Sequence, residues 1–444
     1  MDSLAFYHPT IIGRKINMKI LIIGGGGREH AIAYKVAQSS LVDQIFVSPG
    51  NPGIADEEKV ELINLAIDDL DGLLAFALKE EISLTIVGPE KPLVMGITDL
   101  FEQNGLKIFG PSQKAAQLEG SKSFSKDFLA KYKIPTAKYR TFDDIDEAID
   151  YINSKRMPIV IKADGLAAGK GVIIANTKKE ARETVFQMMD CGSLDGAGRR
   201  VVIEDFLTGE EASFIVMVDG KNALPFATSQ DHKRAFNNDT GPNTGGMGAY
   251  SPAPVVTPEI HQKIMDKIVY PTINGMIEQG NPYKGILYVG LMITAQGRPK
   301  VIEFNCRFGD PETQPIMMRL ESDLVELCLL ACEGNLDKAD INFTSQAALG
   351  VVLASGGYPD SYEKNIPIVG LDYILRATDT KVFQAGTVFM RGIVSTNGGR
   401  ILCVTSLGDT VKEAQTQAYK QIRKISCKGS FFRSDIGNRA IERE

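Results

Sequence analysis

Glu303, Asn305 and Arg307 occupy alternate positions of the segment Val301-Ile302-Glu303-Phe304-Asn305-Cys306-Arg307-Phe308. In an extended chain successive side chains point to opposite faces. Glu303 and Asn305 therefore share one face, Arg307 prolongs it, and Phe304, Cys306 and Phe308 take the other. A carboxylate and a carboxamide oxygen are hard donors suited to Mg2+, and a guanidinium beside them suits a phosphoryl group. The competing reading is an edge strand that carries a surface ion pair.

Other segments supply complementary chemistry. The turn Gly24-Gly25-Gly26-Gly27 follows an apolar run and opens a helical pattern, so the N–H groups of Gly25, Gly26 and Gly27, with Arg28 beside them, suit an anion. A second turn, Gly50-Asn51-Pro52-Gly53, can hold the same ligand through Asn51 and Gly53. A dinucleotide is disfavoured, because Glu29 stands at the third glycine of GxGxxG and Ser48-Pro49-Gly50 ends the second strand where a ribose-binding acid belongs. Lys162 ends an apolar strand and precedes a loop containing Gly169, Lys170 and Gly171. Gly171 after Lys170 breaks the Walker pattern, yet a strand-end ammonium can still meet α- and β-phosphates while the glycines let the loop close over them. In 201–211, Glu204 ends a buried strand, the backbone around Asp205, Phe206 and Leu207 can read an adenine edge, and Glu211 can accept from ribose hydroxyls. In Ser229-Gln230-Asp231-His232-Lys233-Arg234, the Asp231, Lys233 and Arg234 side chains suit charged substrate groups, and His232 reads as structural.

These residues need a scaffold of at least three units. Apolar strands over 19–23, 44–47 and 84–87, with a helix over 69–80 between them, predict an open parallel, Rossmann-like sheet in 18–120. From 121 to 334 the pattern turns to α+β, with strands over 159–162, 201–204, 212–218, 285–293 and 300–305. A smaller α+β unit follows over 335–444, with a strand over 347–354 and a helix over 411–426. Residues 1–17 contain few acids and lack the apolar core of a secretory signal. They read as a leader or disordered arm, with Met18 an alternative start.

Composition narrows the function classes. A chain of 444 residues is too long for one core and suggests two to four domains. No apolar run approaches the ~18 residues of a membrane helix, and a net charge of -6 offers no general attraction to nucleic acid. Small phosphorylated ligands, a cytoplasmic location and no membrane partner follow. The six cysteines show no CxxC pair or zinc spacing, and the four histidines are dispersed. Cys328 and Cys332, one helical turn apart, read as core.

Taken in order, five segments resemble the ATP-grasp enzymes and, within them, the family of phosphoribosylamine-glycine ligases, also called glycinamide ribonucleotide synthetases. The segments are 24–30, 161–171, 229–234, 241–248 and 303–312. The resemblance implies an ATP-grasp fold, α/β and α+β, flanked by the N-terminal Rossmann-like domain and the small C-terminal domain. It implies ATP-driven ligation of glycine to 5-phosphoribosylamine through glycyl phosphate, by a monomer or homodimer. The products would be glycinamide ribonucleotide, ADP and phosphate, in the second step of de novo purine synthesis. Another carboxylate-amine ligase of the same fold, using a different acid or amine, is the alternative. Glu303 and Asn305 would hold Mg2+ or Mn2+, Lys122 and Lys162 would contact ATP phosphates, and Glu204, Phe206, Leu207 and Glu211 would form the base and ribose site. The phosphoribosyl group would sit on the Gly25–27 turn. Arg307 is the candidate for the transferring phosphoryl group. The family usually carries histidine where Gln384 stands and an aromatic where Asn438 stands, and 235–237 is also unusual.

Overall fold

The computed structural model describes residues 17–167, 171–190, 197–374 and 379–444. Met18–Gly24 is apolar at nearly every position, as a strand covered on both faces requires, and it forms the centre of a parallel sheet. This strand, β1, lies between β2 (Val42–Pro49) and β4 (Leu84–Val87), with β3 (Val60–Leu62) and β5 (Ile108–Phe109) outside, in the order β3-β2-β1-β4-β5. All four pairings are parallel. Strand order reverses between β1 and β4, and the glycine turn into α1 (Gly27–Ala37) lies at the carboxyl end of β1, where open α/β sheets bind ligands.

Two short helices lead out of this unit, α2 (Gln117–Gly120) and α3 (Lys122–Lys131). Ser121 separates them, and its Oγ accepts from Phe124 N to cap α3. Next comes an antiparallel sheet of β6 (Tyr139–Phe142), β7 (Ile159–Ala163), β8 (Val172–Ala175) and β9 (Val201–Asp205), in the order β6-β9-β7-β8. It closes over its own small core, which includes Phe142, Ile152, Ile161 and Ile203.

The third sheet runs from β10 (Glu210–Asp219) and β11 (Ala223–Asp231) through β14 (Gly248–Ser251), β15 (Lys284–Ile293) and β16 (Pro299–Asn305). The ribbon of β12 (Arg234–Phe236) and β13 (Thr240–Asn243) hangs beside it. After α4 (Thr313–Arg319) and α5 (Leu324–Cys332), the chain adds β17 (Ala347–Ala354), β18 (Thr380–Gln384) and β19 (Arg400–Gly408) to the same sheet, followed by α6 (Val411–Ile422). The eight strands stand in the order β16-β15-β10-β11-β14-β17-β19-β18, and the β14–β17 pairing carries the sheet past residue 334 without a break. Helix α6 stops at Ile422, short of the predicted 426, because Ser426–Cys427 pairs with Ile368–Val369 as a short ribbon.

The apolar cores ignore the sequence boundaries. Leu21 and Ile23 of β1 share one cluster with Phe214, Leu287 and Phe304, while Ile20 and Ile22 share another with Tyr288 and Phe308. Alternate side chains of β1 thus pack on both faces, which locks the parallel sheet against the strand that carries Glu303. Cys328 is fully buried in the second cluster, as its place on an apolar helix face predicts.

Candidate active site

Residues 303–308 alternate as the sequence suggests. Phe304, Cys306 and Phe308 are buried, whereas Glu303, Asn305 and Arg307 are only partly so. Glu303 faces three lysines drawn from different elements. Lys233, just after β11, places Nζ 3.1 Å from Glu303 Oε1 and 3.8 Å from Glu211 Oε2. Lys162, next to last in β7, donates to the Ile302 carbonyl at 2.9 Å. Lys122 opens α3 and donates to the Gly165 carbonyl at 2.6 Å. Lys233, against the opposing push of burial and together with Lys162 and Lys122, brings the Glu303 carboxyl down to about 2. Burial lowers the Lys122 ammonium, with Glu303 opposing. Lys233 is held well above the usual lysine range: burial would lower it, but Glu303 and Glu211 prevail. Three ammonium groups around one carboxylate leave positive potential for a polyphosphate.

The donors present fit a magnesium or manganese ion. Glu303 is a full carboxylate, and the amide of Asn305 is satisfied when Nδ2 donates to Glu119 Oε1 at 3.0 Å and to the Phe304 carbonyl at 3.2 Å, which turns Oδ1 away from Glu119. Among the described residues no group of three His, Cys, Asp or Glu side chains could hold a metal by itself. A hard ion that takes one or two protein oxygens and completes its shell with phosphates and water needs no more.

Behind these groups lies a buried ion triad. Glu204 places Oε1 2.8 Å from Lys162 Nζ and Oε2 2.6 Å from Lys126 Nζ. Burial and the neighbouring Lys162 bring the Lys126 ammonium down to about 8. Glu204 thus acts through its carboxylate as an anchor for Lys162. Phe206 is exposed just beyond it, and Leu207 is half-buried. Gly169 and Lys170 lie outside the described residues; Gly171 accepts at its carbonyl from Ala163 N at 2.8 Å.

Beside Glu303 a small pocket with room for about one water is lined by Glu211, Ser213, Asp231, Lys233 and Tyr288, among others. Ser213 Oγ lies 2.8 Å from Tyr288 Oη and 3.0 Å from Glu312 Oε1. Burial and the nearby Glu312 push the Asp231 carboxyl well above the usual carboxylate range. His232 is buried, with Nδ1 3.2 Å from the Gly248 carbonyl and Nε2 3.3 Å from Gly437 N. A tautomer protonated on Nδ1 satisfies both contacts, so the ring is structural. Arg234 alternates to the other side and donates to the Gly241 carbonyl at 2.7 Å within the β12–β13 ribbon, away from Lys233.

Several expected ligand groups also make contacts within the protein. Arg28 donates to Glu29 Oε1 at 2.7 Å and to the Phe308 carbonyl at 2.9 Å, so the cation beside the glycine turn is committed internally. Glu29 Oε2 accepts from Gly26 N at 2.6 Å, and a Cβ at Gly24 or Gly88 would strike the Glu29 side chain. The missing third glycine is thereby explained: an acid folds back over the turn. Gly25 and Gly27 keep close approaches to Gly50 and to Gln314. Asn51 donates to the carbonyls of Gly25 and Gln384, both at 2.9 Å. Gly53 packs on His30 and Gln384. Arg307 is held by Glu90 at 3.3 Å and Glu119 at 2.8 Å, so two carboxylates meet the guanidinium expected at the transferring phosphoryl group. Sequence reasoning missed Glu119, Glu90, Lys126 and Glu312; only Glu312, inside segment 303–312, carried any signal.

A lysine-bearing antiparallel sheet facing a second one that presents Glu303 and Asn305, with a parallel-sheet unit ahead of them, makes this an ATP-grasp protein. The biotin carboxylase domain of 2-oxoglutarate carboxylase from Hydrogenobacter thermophilus shares the fold, at TM-score 0.72 and 15% identity over 94% of this chain and 92% of that one. More narrowly, the chain belongs to the phosphoribosylglycinamide synthetase family, matching its N domain over 18–119, its ATP-grasp (A) domain over 120–313 and its C domain over 348–439. It is 60% identical over 427 residues to the phosphoribosylamine–glycine ligase of Haemophilus influenzae, covering 96% of this chain and 99% of that protein. It is likewise 60% identical over 428 residues to the one from Salmonella typhimurium, covering 96% and 100%. The crystal structure of the Thermotoga maritima phosphoribosylamine–glycine ligase superposes at TM-score 0.82 and 33% identity, over 94% of this chain and 100% of that one.

Proposed function

We infer that this chain joins glycine to 5-phosphoribosylamine at the expense of ATP, giving glycinamide ribonucleotide, ADP and phosphate in purine biosynthesis. The observation that carries the reading at the level of the site is the meeting of Lys122, Lys162 and Lys233 around the ionised Glu303. A glycine carboxylate oxygen attacking the γ-phosphorus brings anions together, and the three ammonium groups lower that repulsion. ADP leaves as the P–O bond breaks. The amine of phosphoribosylamine then attacks the acyl carbon of glycyl phosphate, loses a proton and expels phosphate, and no enzyme nucleophile is needed. Glu303 and Asn305 would hold Mg2+ or Mn2+, which when bound neutralises phosphate charge as a Lewis acid.

Lys122 and Lys162 would meet the ATP phosphates, with Phe206, Leu207 and Glu211 at the base and ribose end. We place glycine beside Lys233, whose ammonium would meet its carboxylate. The glycine turn at Gly25–27 would take the phosphoribosyl group through its backbone, next to the Asp310 carboxylate, which lies 3.6 Å from where a Cβ would stand at Gly26 or at Gly27. No helix among the described residues is long and apolar enough to cross a membrane, and a cytoplasmic setting fits the substrates. ADP release with ATP, Mg2+, freshly made phosphoribosylamine and each of several amino acids tests the reading. Glycine-dependent turnover is expected; equal ADP from alanine or buffer would overturn it.

A further inference from the structure

Three consecutive residues at the end of β16 converge on one buried carboxylate. Glu119, 8% exposed, accepts from Cys306 N at 2.7 Å through Oε2 and pairs with Arg307 Nη2 at 2.8 Å through Oε1. With the Asn305 amide assigned from its surroundings, so that Nδ2 and not Oδ1 faces Glu119, Nδ2 donates to Oε1 at 3.0 Å. On its far side Arg307 is held by Glu90, whose carboxylate in turn lies 3.9 Å from Arg28. Glu119 sits in α2, and Lys122 follows it by three positions across the Ser121 cap. One short segment at the joint between two units therefore fixes both the amide that faces the metal and an ammonium that faces the phosphates.

We propose that Glu119 is a positioning residue for metal binding: its carboxylate orients the Asn305 amide so that the carbonyl oxygen, and not the NH2 group, is presented to the cation. The proposal rests on Glu303 and Asn305 being the metal ligands. The donor count explains why a carboxylate is required. Four donors, Asn305 Nδ2, Cys306 N, the Cys306 thiol and Arg307 Nη2, share two oxygens that accept only. A carboxamide offers one oxygen and adds two N–H donors, so in Glu119→Gln at least one native donor faces another donor. The Asn305 amide, lacking a covalent constraint, is the group free to turn over.

The test is Mn2+ binding to the whole protein, followed by electron paramagnetic resonance with a non-hydrolysable ATP analogue present. Loss of a group that orients a metal ligand should weaken Mn2+ binding about 10- to 100-fold in Glu119→Gln. Affinity for the metal-free analogue, which depends on Lys122 and Lys162, should change less than about threefold. A second variant gives an independent sign. Asn305→Asp adds a charge to the metal site but sets two carboxylates together at Glu119, so by itself it should weaken Mn2+ binding. Adding Glu119→Gln should then restore binding, because the carboxamide can donate to the new carboxylate. A Glu119 that serves stability alone would lower Tm in each variant, leave Mn2+ affinity within about threefold of the parent and show no restoration in the double variant; that outcome overturns the proposal. Mn2+ binding unaffected by Glu303→Gln would instead overturn the metal site on which it rests.

Discussion

Glu303→Gln removes one charge and almost no volume, so it separates electrostatics from packing. Lys233 leads the causes that bring the Glu303 carboxyl from 4.5 to about 2, which makes its anion about 3 kcal/mol better held than its acid. The side chain is 30% exposed and the carboxamide can still accept from Lys233, so the loss in folding stability should be only about 1–2 kcal/mol. Turnover should suffer more. The cation that Glu303 would hold balances charge developing at the γ-phosphate, and losing such a contribution costs about 3–4 kcal/mol, a factor of about 10²–10³ in kcat. The sign with pH also follows: a carboxyl lowered in the folded state adds stability that is complete above 4.5 and is lost as pH falls towards 2. The Tm gap between parent and variant should therefore be widest above about pH 5 and close towards about pH 2. Steady-state ADP release and thermal melts across that range measure both effects. A Tm gap unchanged with pH, or near-normal turnover with a large loss of Tm, would refute the assignment.

Glu204→Gln leaves the Lys126 and Lys162 ammonium groups buried beside a neutral amide, and urea unfolding should show a loss of about 3–5 kcal/mol; a loss below about 1 kcal/mol would show that the triad is dispensable. Gly53→Ala places a Cβ 2.5 Å from His30 Cε1 and 2.7 Å from Gln384 Cγ, so it should cost about 1–3 kcal/mol in thermal stability and sensitise the contact between the first and last units to limited proteolysis. Burial, reinforced by Arg433, brings His232 down to about 4, so its neutral form is favoured in the fold and stability should drain as pH falls from 6.5 towards 4. His232→Gln should flatten that part of the Tm–pH curve, and an unchanged slope would count against a buried neutral ring.

What the sequence revealed was what a local period can carry. The two-residue alternation at 303–308 survives into the structure because Phe304, Cys306 and Phe308 all face cores. The unbroken apolar run of β1 told of a parallel strand covered on both faces, and the fold class followed. The partners of Arg307 were hidden because Glu90 stands 217 residues away, and Glu119 stands 187 residues from Cys306. Neither acid has a neighbour in sequence that hints at a buried cation. The internal contact of Arg28 was hidden for the same reason, since the Phe308 carbonyl that it meets lies 280 residues on. Lys126 carried no signal, since nothing local in the sequence shows that Glu204 lies beside it.

The unbroken β14–β17 pairing bears on how the chain can be cut or fused. Removing the stretch after residue 334 would strip three strands from an eight-stranded sheet and leave the backbone of β14 as a raw edge, open to pairing with another molecule. A fragment ending there should self-associate instead of yielding a tractable ATP-binding half, and useful truncations or circular permutations are confined to loops that cross no strand pairing. The apolar cluster shared by β1, Phe214 and Phe304 extends the same constraint to the front of the chain, so the parallel sheet and the sheet that carries Glu303 should unfold together although they look separable in sequence.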